Sequence, residues 1–240
     1  MVESAIEGRV LGAARAVVVP SARLAEVARD AGAGRVEVVP PAVLPVTEPS
    51  DAPPLPHLGA GRRIVSVGPL TARRRADALV HALTLQPPDT HLLLLGGGPQ
   101  RLQVDREVRR LGLDGRVHVL PTLSWQVVAD HLAHADAVAT AALSGEDTTV
   151  TLLAMGLGRP TVGTAVEGLP AIVSDGVDGR LVPPGDDDGL AGALRDVLTD
   201  RDRAASLGAS ARRRVAAADW VRHAARVRAL ATEVTPQPVG

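Results

Sequence analysis

Eight short apolar runs of β-type recur along the chain, separated by stretches of helical character. This rhythm constrains the fold more than any single motif. The runs cover residues 16–19, 36–39, 63–67, 91–95, 116–120, 135–140, 160–162 and 180–182. They read as continuous apolar segments, not in–out alternations, which suits strands of a parallel sheet buried on both faces. Between them, Leu24, Val27, Ala28 and Ala31 follow Ser21, a good N-cap, at helical spacing. Val104, Val108 and Leu111 make a second stripe, and Trp125, Val128 and Leu132 a third after Ser124. Leu190, Leu194, Val197 and Leu198 make a fourth, with Asp186, Asp187 and Asp188 where the helix dipole favours acids. Strand–helix alternation of this kind predicts right-handed βαβ units and an α/β class fold, a Rossmann-like parallel sheet flanked by helices.

Composition narrows the function classes. The 240 residues carry a formal net charge of −1, so a general polyanion binder, which needs a basic surplus, is not expected, and nucleic acid is not an expected partner. All 26 basic residues are Arg, and Cys, Phe and Tyr are absent. Disulfides, thiolate metal sites and Cys nucleophiles are therefore excluded. The core must come from Val, Leu and Ala. The first nine residues carry acids and no long apolar run, so they do not read as a signal peptide, and no run of about 18 apolar residues suggests a spanning helix. The expectation is a cytoplasmic protein. Arg212, Arg213, Arg214, Arg222 and Arg226 near the carboxyl end read as a solvated helix face rather than a peripheral membrane contact, because their neighbours are mostly Ala.

Prolines crowd residues 40–56, where periodicity stops, and this stretch reads as an extended linker. The expected organisation is a short βαβ piece over 1–43, a linker over 44–61, a main α/β body over 62–218, and a final helix and tail over 219–240.

In a doubly wound sheet, ligands bind beyond the carboxyl ends of the strands. Three loops there have unusual content. Gly68-Pro69-Leu70-Thr71-Ala72-Arg73-Arg74-Arg75 follows a strand with three guanidiniums, whose forks match phosphate oxygens, although a charge run taken alone is more often a solvated positive turn. Gly96-Gly97-Gly98-Pro99 lets backbone approach an anion, although a tight turn accounts for it as well, and it is neither of the common nucleotide motifs. Ser144-Gly145-Glu146-Asp147-Thr148-Thr149 sets two carboxylates and two hydroxyls at a helix start, suited to sugar hydroxyls or to simple capping. The seven histidines show no metalloprotease pattern, and no serine sits in a nucleophile elbow.

Taken in order, these pieces resemble the carboxyl-terminal lobe of a GT-B glycosyltransferase of the retaining family 4. Residues 63–70, RIVSVGPL, are similar to the opening strand and "VGRL" turn of that lobe, and 96–99 to "GDGP". Residues 111–120, LGLDGRVHVL, resemble "LGLxDRVxFLG", and 152–162, LLAMGLGRPTV, resemble "LLEAMALGRPVV". Residues 167–170 with 175–186 resemble "GGLPEVVxDGVTGLLVPPGD", and Asp219-Trp220 the "SW" that opens the final helix. Residues 16–41 are similar to the last βαβ of the amino-terminal lobe.

The resemblance implies a nucleotide-sugar donor lobe with no cofactor or metal, the acceptor being unknown. It points to Gly68, Arg73, Arg74, Gly98, Leu120, Glu146, Asp147, Thr148 and Thr149 as donor-binding residues, and to Glu146 and Arg74 as the catalytic pair. Two departures stand out. The family's diphosphate-binding arginine falls on Pro69, while its lysine falls on Arg74. The second of the family's two glutamates falls on Ala154 or Leu153, according to the anchor chosen, so the ribose-binding carboxylate is absent. Three expectations follow: a hexosyltransferase donor lobe, a degenerate lobe acting with a protein partner that supplies an amino-terminal lobe, or a truncated reading of a longer gene with Met1 an internal start.

Overall fold

The structure, a computed structural model, describes residues 2–39, 42, 49–50, 55, 58, 60–121, 123–145, 148–216 and 220–234. The chain divides into two compact units, 1–43 with 218–240 and 44–217.

The larger unit is built on six parallel strands. β3 (Arg62–Val67), β4 (Thr90–Leu95), β5 (Val117–Leu120), β6 (Ala137–Thr140), β7 (Thr161–Thr164) and β8 (Arg180–Val182) lie in the order β5-β4-β3-β6-β7-β8. Val65 pairs with Leu93 on one side and Val138 on the other. The chain thus runs from β3 outward to β5, returns to the far side of β3 as β6, and continues outward. The order reverses between β3 and β6, which opens a crevice at their carboxyl ends.

Two apolar layers explain why these strands read as unbroken runs. Ile64, Leu92, Leu94, Ala139 and Val162 face α3 (Ala76–Thr84), α4 (Arg101–Arg110) and α8 (Asp187–Thr199). Val65, Leu93, Leu95 and Val138 face α5 (Trp125–Ala133) and α6 (Thr148–Gly156). Successive side chains point to opposite faces, and both faces are covered, so the central positions of the strands are apolar on both sides. α9 (Arg201–Ala216) adds Leu207 to the first layer. α7 (Leu169–Ile172) is a single turn after β7.

Every expected strand forms within about two residues of its expected limits. α3 is a further element, absent from the expected helices: Ala76, Ala78, Leu79, Val80, Ala82 and Leu83 are buried, while Asp77, His81 and Thr84 mark its outer side at i, i+4 and i+7. α6 begins at Thr148, within the segment expected to lie at a helix start. Ser124 stands at the N-cap of α5 without a side-chain cap bond, whereas Asp186 caps α8 through Gly189 N–H at 2.9 Å.

The smaller unit holds α1 (Val2–Ala13), β1 (Val17–Val19), α2 (Ala22–Asp30), β2 (Val36–Val38) and α10 (Trp220–Val234). β1 and β2 pair in parallel, and Ser21 Oγ accepts from Leu24 N–H at the start of α2. Val19, Ala25, Ala28 and Ala33 form its core. Glu37 accepts from Arg35 and Arg226, and Arg35 also pairs with Glu233. Among the described residues the sheet has two strands, with Val18 45% and Val38 42% exposed. Most of the Pro-rich stretch lies outside the described residues. Among the described residues no helix is long and apolar enough to cross a membrane.

Candidate functional site

The crevice between β3 and β6 gathers most of the residues singled out in the sequence. Gly68 ends β3 with φ +142°, a backbone state few side chains adopt, and donates its N–H to Leu95 O at 2.9 Å. Its neighbours Gly96 (φ +148°) and Gly98 (φ +154°) let two loops touch backbone to backbone. A Cβ on Gly98 would sit 2.5 Å from Leu70 O, and one on Gly96 would strike the Gly68 carbonyl. Leu70 N–H meets Gly97 O at 2.8 Å, and Gln100 N–H meets Leu70 O at 3.0 Å. The glycine run after β4 therefore seats the β3 loop.

The arginine run separates into three roles. Arg75, at φ +48°, forks onto Asp187 of α8 at 3.0 and 2.9 Å and reaches Asp77 at 3.2 Å. The Asp187 hydrogen bonds, joined by the charge and hydrogen bond of Asp77, raise its pKa above the usual guanidinium value. Arg73 Nη1 donates to the carbonyls of Ser144 and Gly145, both at 2.8 Å. Arg74 turns inward, its Nη1 lying 3.5 Å from Val67 O. It lines a small cavity with Ser66, Gly68, Leu70, Leu94 and Thr140. Since Gly68 ends β3 and Thr140 ends β6, that cavity straddles the point where strand order reverses.

The β6 loop closes the other side. Leu143 N–H donates to Arg73 O at 2.9 Å, and Thr164 Oγ1 of β7 donates to Ala142 O at 2.6 Å. Gly145, at φ +50°, donates its N–H to Glu167 Oε2 at 3.1 Å. Thr148 and Thr149 form the first turn of α6, where N–H groups and the helix dipole favour an anion or a hydroxyl. Glu146 and Asp147 lie outside the described residues. Leu120 ends β5; its carbonyl accepts from Gly96 N–H at 2.9 Å and its side chain packs on the second apolar layer. Leu153 and Ala154, where the family's second glutamate falls, are buried in that same layer beside Val65 and Leu93. A carboxylate there would have to be desolvated, so the apolar residues match their surroundings.

Two contributors were not found by sequence reasoning. Thr164 ends β7 and Glu167 follows it, and their signal is weak: one polar side chain at the end of a strand and one three residues beyond. Four of the described histidines have structural partners, and His57 lies outside the described residues. His91 Nδ1 lies 3.2 Å from His118 Nε2, His81 meets Glu107 at 2.6 Å, and His134 Nδ1 lies 2.9 Å from Asp130 O. Among the described residues no three His, Cys, Asp or Glu side chains group as metal ligands.

A six-stranded parallel sheet of this order, with helices on both faces and a glycine-lined crevice at its reversal point, defines an α/β lobe of GT-B type. Residues 61–200 match the family model of Glycosyl transferases group 1, and the chain belongs to that family. It is 31% identical over 233 residues to the D-inositol 3-phosphate glycosyltransferase of Xylanimonas cellulosilytica, covering 86% of this chain and 55% of the relative. It is 30% identical over 196 residues to the phosphatidyl-myo-inositol mannosyltransferase of Mycolicibacterium smegmatis, covering 79% of this chain and 49% of the relative. The chain thus spans about half the length of these relatives. Anabaena HepE, solved in complex with UDP and glucose, superposes with a TM-score of 0.88 at 21% identity, over 97% of this chain and 67% of that one. Sucrose-phosphate synthase from Thermosynechococcus elongatus superposes with a TM-score of 0.82 at 26% identity, over 97% of this chain and 61% of that one.

Proposed function

We propose that this chain carries the donor-binding lobe of a nucleotide-sugar-dependent, retaining hexosyltransferase of family 4. The observation that carries the reading is the placement of the Arg74 guanidinium in the cavity between Gly68 and Thr140. Residues 1–43 are then the remnant of an amino-terminal lobe, and 44–61 the connection to the donor lobe.

In this reading Arg74 lies against the diphosphate and stabilises the negative charge that develops as the bond from sugar C1 to phosphate oxygen breaks. Arg73 adds positive potential at the rim, and Gly68 and Gly98 leave backbone room for the phosphates. Thr148 and Thr149 supply hydroxyls and N–H groups at the helix start, and Glu146 with Asp147 orient the sugar hydroxyls. The acceptor hydroxyl oxygen bonds to C1 as the bond from C1 to the phosphate oxygen breaks, its proton passes to the departing diphosphate, and the nucleoside diphosphate leaves. Arginine neutralises the phosphates, so the donor is a substrate and no cofactor is required.

Leu153 and Ala154 provide no ribose contact. Lacking one charge-assisted hydrogen bond costs about 1.5–3 kcal/mol. Donor affinity should therefore sit about tenfold or more below that of a relative with the glutamate. The test is isothermal calorimetry with UDP-glucose and GDP-mannose. Saturable binding supports the reading, and a flat titration at millimolar ligand overturns it.

A second reading has its own observation. Parallel sheets are covered on both faces and rarely stop at two strands. β1 and β2 nevertheless expose Val18 and Val38, with Val27 of α2 exposed at 54%. A protein partner that extends this sheet fits that surface, with the lobe acting as its subunit. Light scattering after size exclusion tests it: a clean, non-adhering monomer counts against the partner.

A further inference from the structure

We infer that Arg73 and Glu167 are positioning residues that grip the Gly145 peptide from opposite sides and set the path of the β6 loop into α6. The inference deepens the donor-binding reading and rests on it. Arg73 Nη1 holds the Gly145 carbonyl, and the Ser144 carbonyl beside it, both at 2.8 Å. Glu167 Oε2 takes the Gly145 N–H from the other direction at 3.1 Å. One peptide unit is thereby tied to the loops that follow β3 and β7. The same loop is fastened again by Leu143 N–H on Arg73 O and by Thr164 Oγ1 on Ala142 O.

Both gripping side chains are exposed, so neither is held in place by the apolar core. A surface loop has water to satisfy its backbone groups, and its stability does not call for charged partners. Gly145 itself is matched to the grip. Its φ of +50° favours glycine, and a Cβ there would lie 2.8 Å from Arg73 Nη1. Glycine is needed both for the turn and for the guanidinium to reach the carbonyls. Three residues further on, α6 starts at Thr148 beside the crevice. A helix N-terminus attracts an anion or a hydroxyl only where it points, and a displacement of about 1 Å can cost about a hundredfold. The grip sets that aim.

Glu167 provides the clean test, because a carboxylate repels phosphate and cannot substitute as its ligand. Glu167→Ala removes the acceptor, whereas Glu167→Gln keeps an oxygen that accepts the Gly145 N–H. The intact chain and both variants are titrated by calorimetry with UDP, UDP-glucose, GDP and GDP-mannose, and Gly145 amide exchange is followed by NMR. In Glu167→Ala the amide should exchange about tenfold faster through easier local opening. Affinity for the nucleotide-sugar should fall about tenfold while affinity for the matching nucleoside diphosphate stays within about twofold. Glu167→Gln should remain close to the parent in both readouts. An unchanged Gly145 exchange rate in Glu167→Ala overturns the grip. An equal loss for sugar and diphosphate, no loss for either, or a Glu167→Gln variant as impaired as Glu167→Ala, overturns the positioning role alone. A parent chain that binds none of the four ligands overturns the donor-binding reading and this role with it.

Discussion

Gly68 and Arg74 occupy one spot: a Cβ on Gly68 would lie 2.8 Å from the Arg74 Cζ. The strand end and the guanidinium six residues later are therefore a matched pair, and the cavity they line exists because residue 68 lacks a side chain. Gly68→Ala should push the guanidinium aside and strain a backbone at φ +142°. Nucleotide diphosphate binding should weaken about tenfold or more, for the loss of one charge-assisted contact, read by calorimetry. Unchanged affinity in a folded variant would count against Arg74 as the phosphate ligand.

Arg74→Ala should weaken binding of UDP or GDP by about 1.5–3 kcal/mol, the range for a hydrogen bond to a charged group. Arg74→Lys keeps the charge but loses the fork, and should recover part of that loss. Arg75→Ala should leave affinity within about twofold and instead lower stability, because its fork is engaged with Asp187. Partly exposed ion pairs contribute about 0.2–1 kcal/mol, so the shift in unfolding temperature should be a few degrees at most.

Gly98→Ala tests the seating of the two loops. The added Cβ would approach the Leu70 carbonyl at 2.5 Å, and that backbone is tied to Gly97 and Gln100. The expected loss is about 2 kcal/mol or more in urea unfolding, as for strain at a special backbone position. Gly97→Ala, with open space at its Cβ, is the control and should lose much less.

His131 of α5 supplies a pH dependence. It is 5% exposed, and burial, assisted by the Arg63 charge, holds its pKa below the ordinary imidazole value; Asp130 opposes the shift and His134 adds to it. The folded chain therefore keeps His131 neutral while the unfolded chain takes up a proton. Stability is unaffected above the unfolded pKa of about 6.5 and falls as pH drops below it, with a slope of up to about 1.4 kcal/mol per pH unit. Urea midpoints at pH 7.5 and 5.5 measure the fall. His131→Leu should flatten this component, and an unchanged pH slope in that variant would exclude His131 as its source.

Much of this molecule was legible from one dimension. Val65, Leu93 and Val138 sit in strands covered on both faces, so continuous apolar runs announced a parallel sheet and the carboxyl edge where its loops gather. Gly68, Arg74 and Thr149 were placed at that edge by their position after strands. α3 escaped although Asp77, His81 and Thr84 mark its outer side, because nine residues show only about two and a half turns of the 3.6-residue stripe and the other six are all apolar.

Sequence alone determined the fold class and the loops that border the crevice, because burial pattern and strand–helix alternation are written in local apolar spacing, whereas the strand order β5-β4-β3-β6-β7-β8 is set by pairing between distant segments. Only the tertiary structure decided what each of three adjacent arginines does. Arg73 turns to Gly145, Arg75 to Asp187, and Arg74 to the cavity beside Gly68. Those partners lie 72 and 112 residues away for the first two, and 6 for the third. Neighbouring side chains of one type are chemically alike, and which guanidinium meets which oxygen depends on loops brought together by folding. The same holds for Glu167, a lone acid in the sequence that becomes a partner of Gly145 only when β7 settles beside β6.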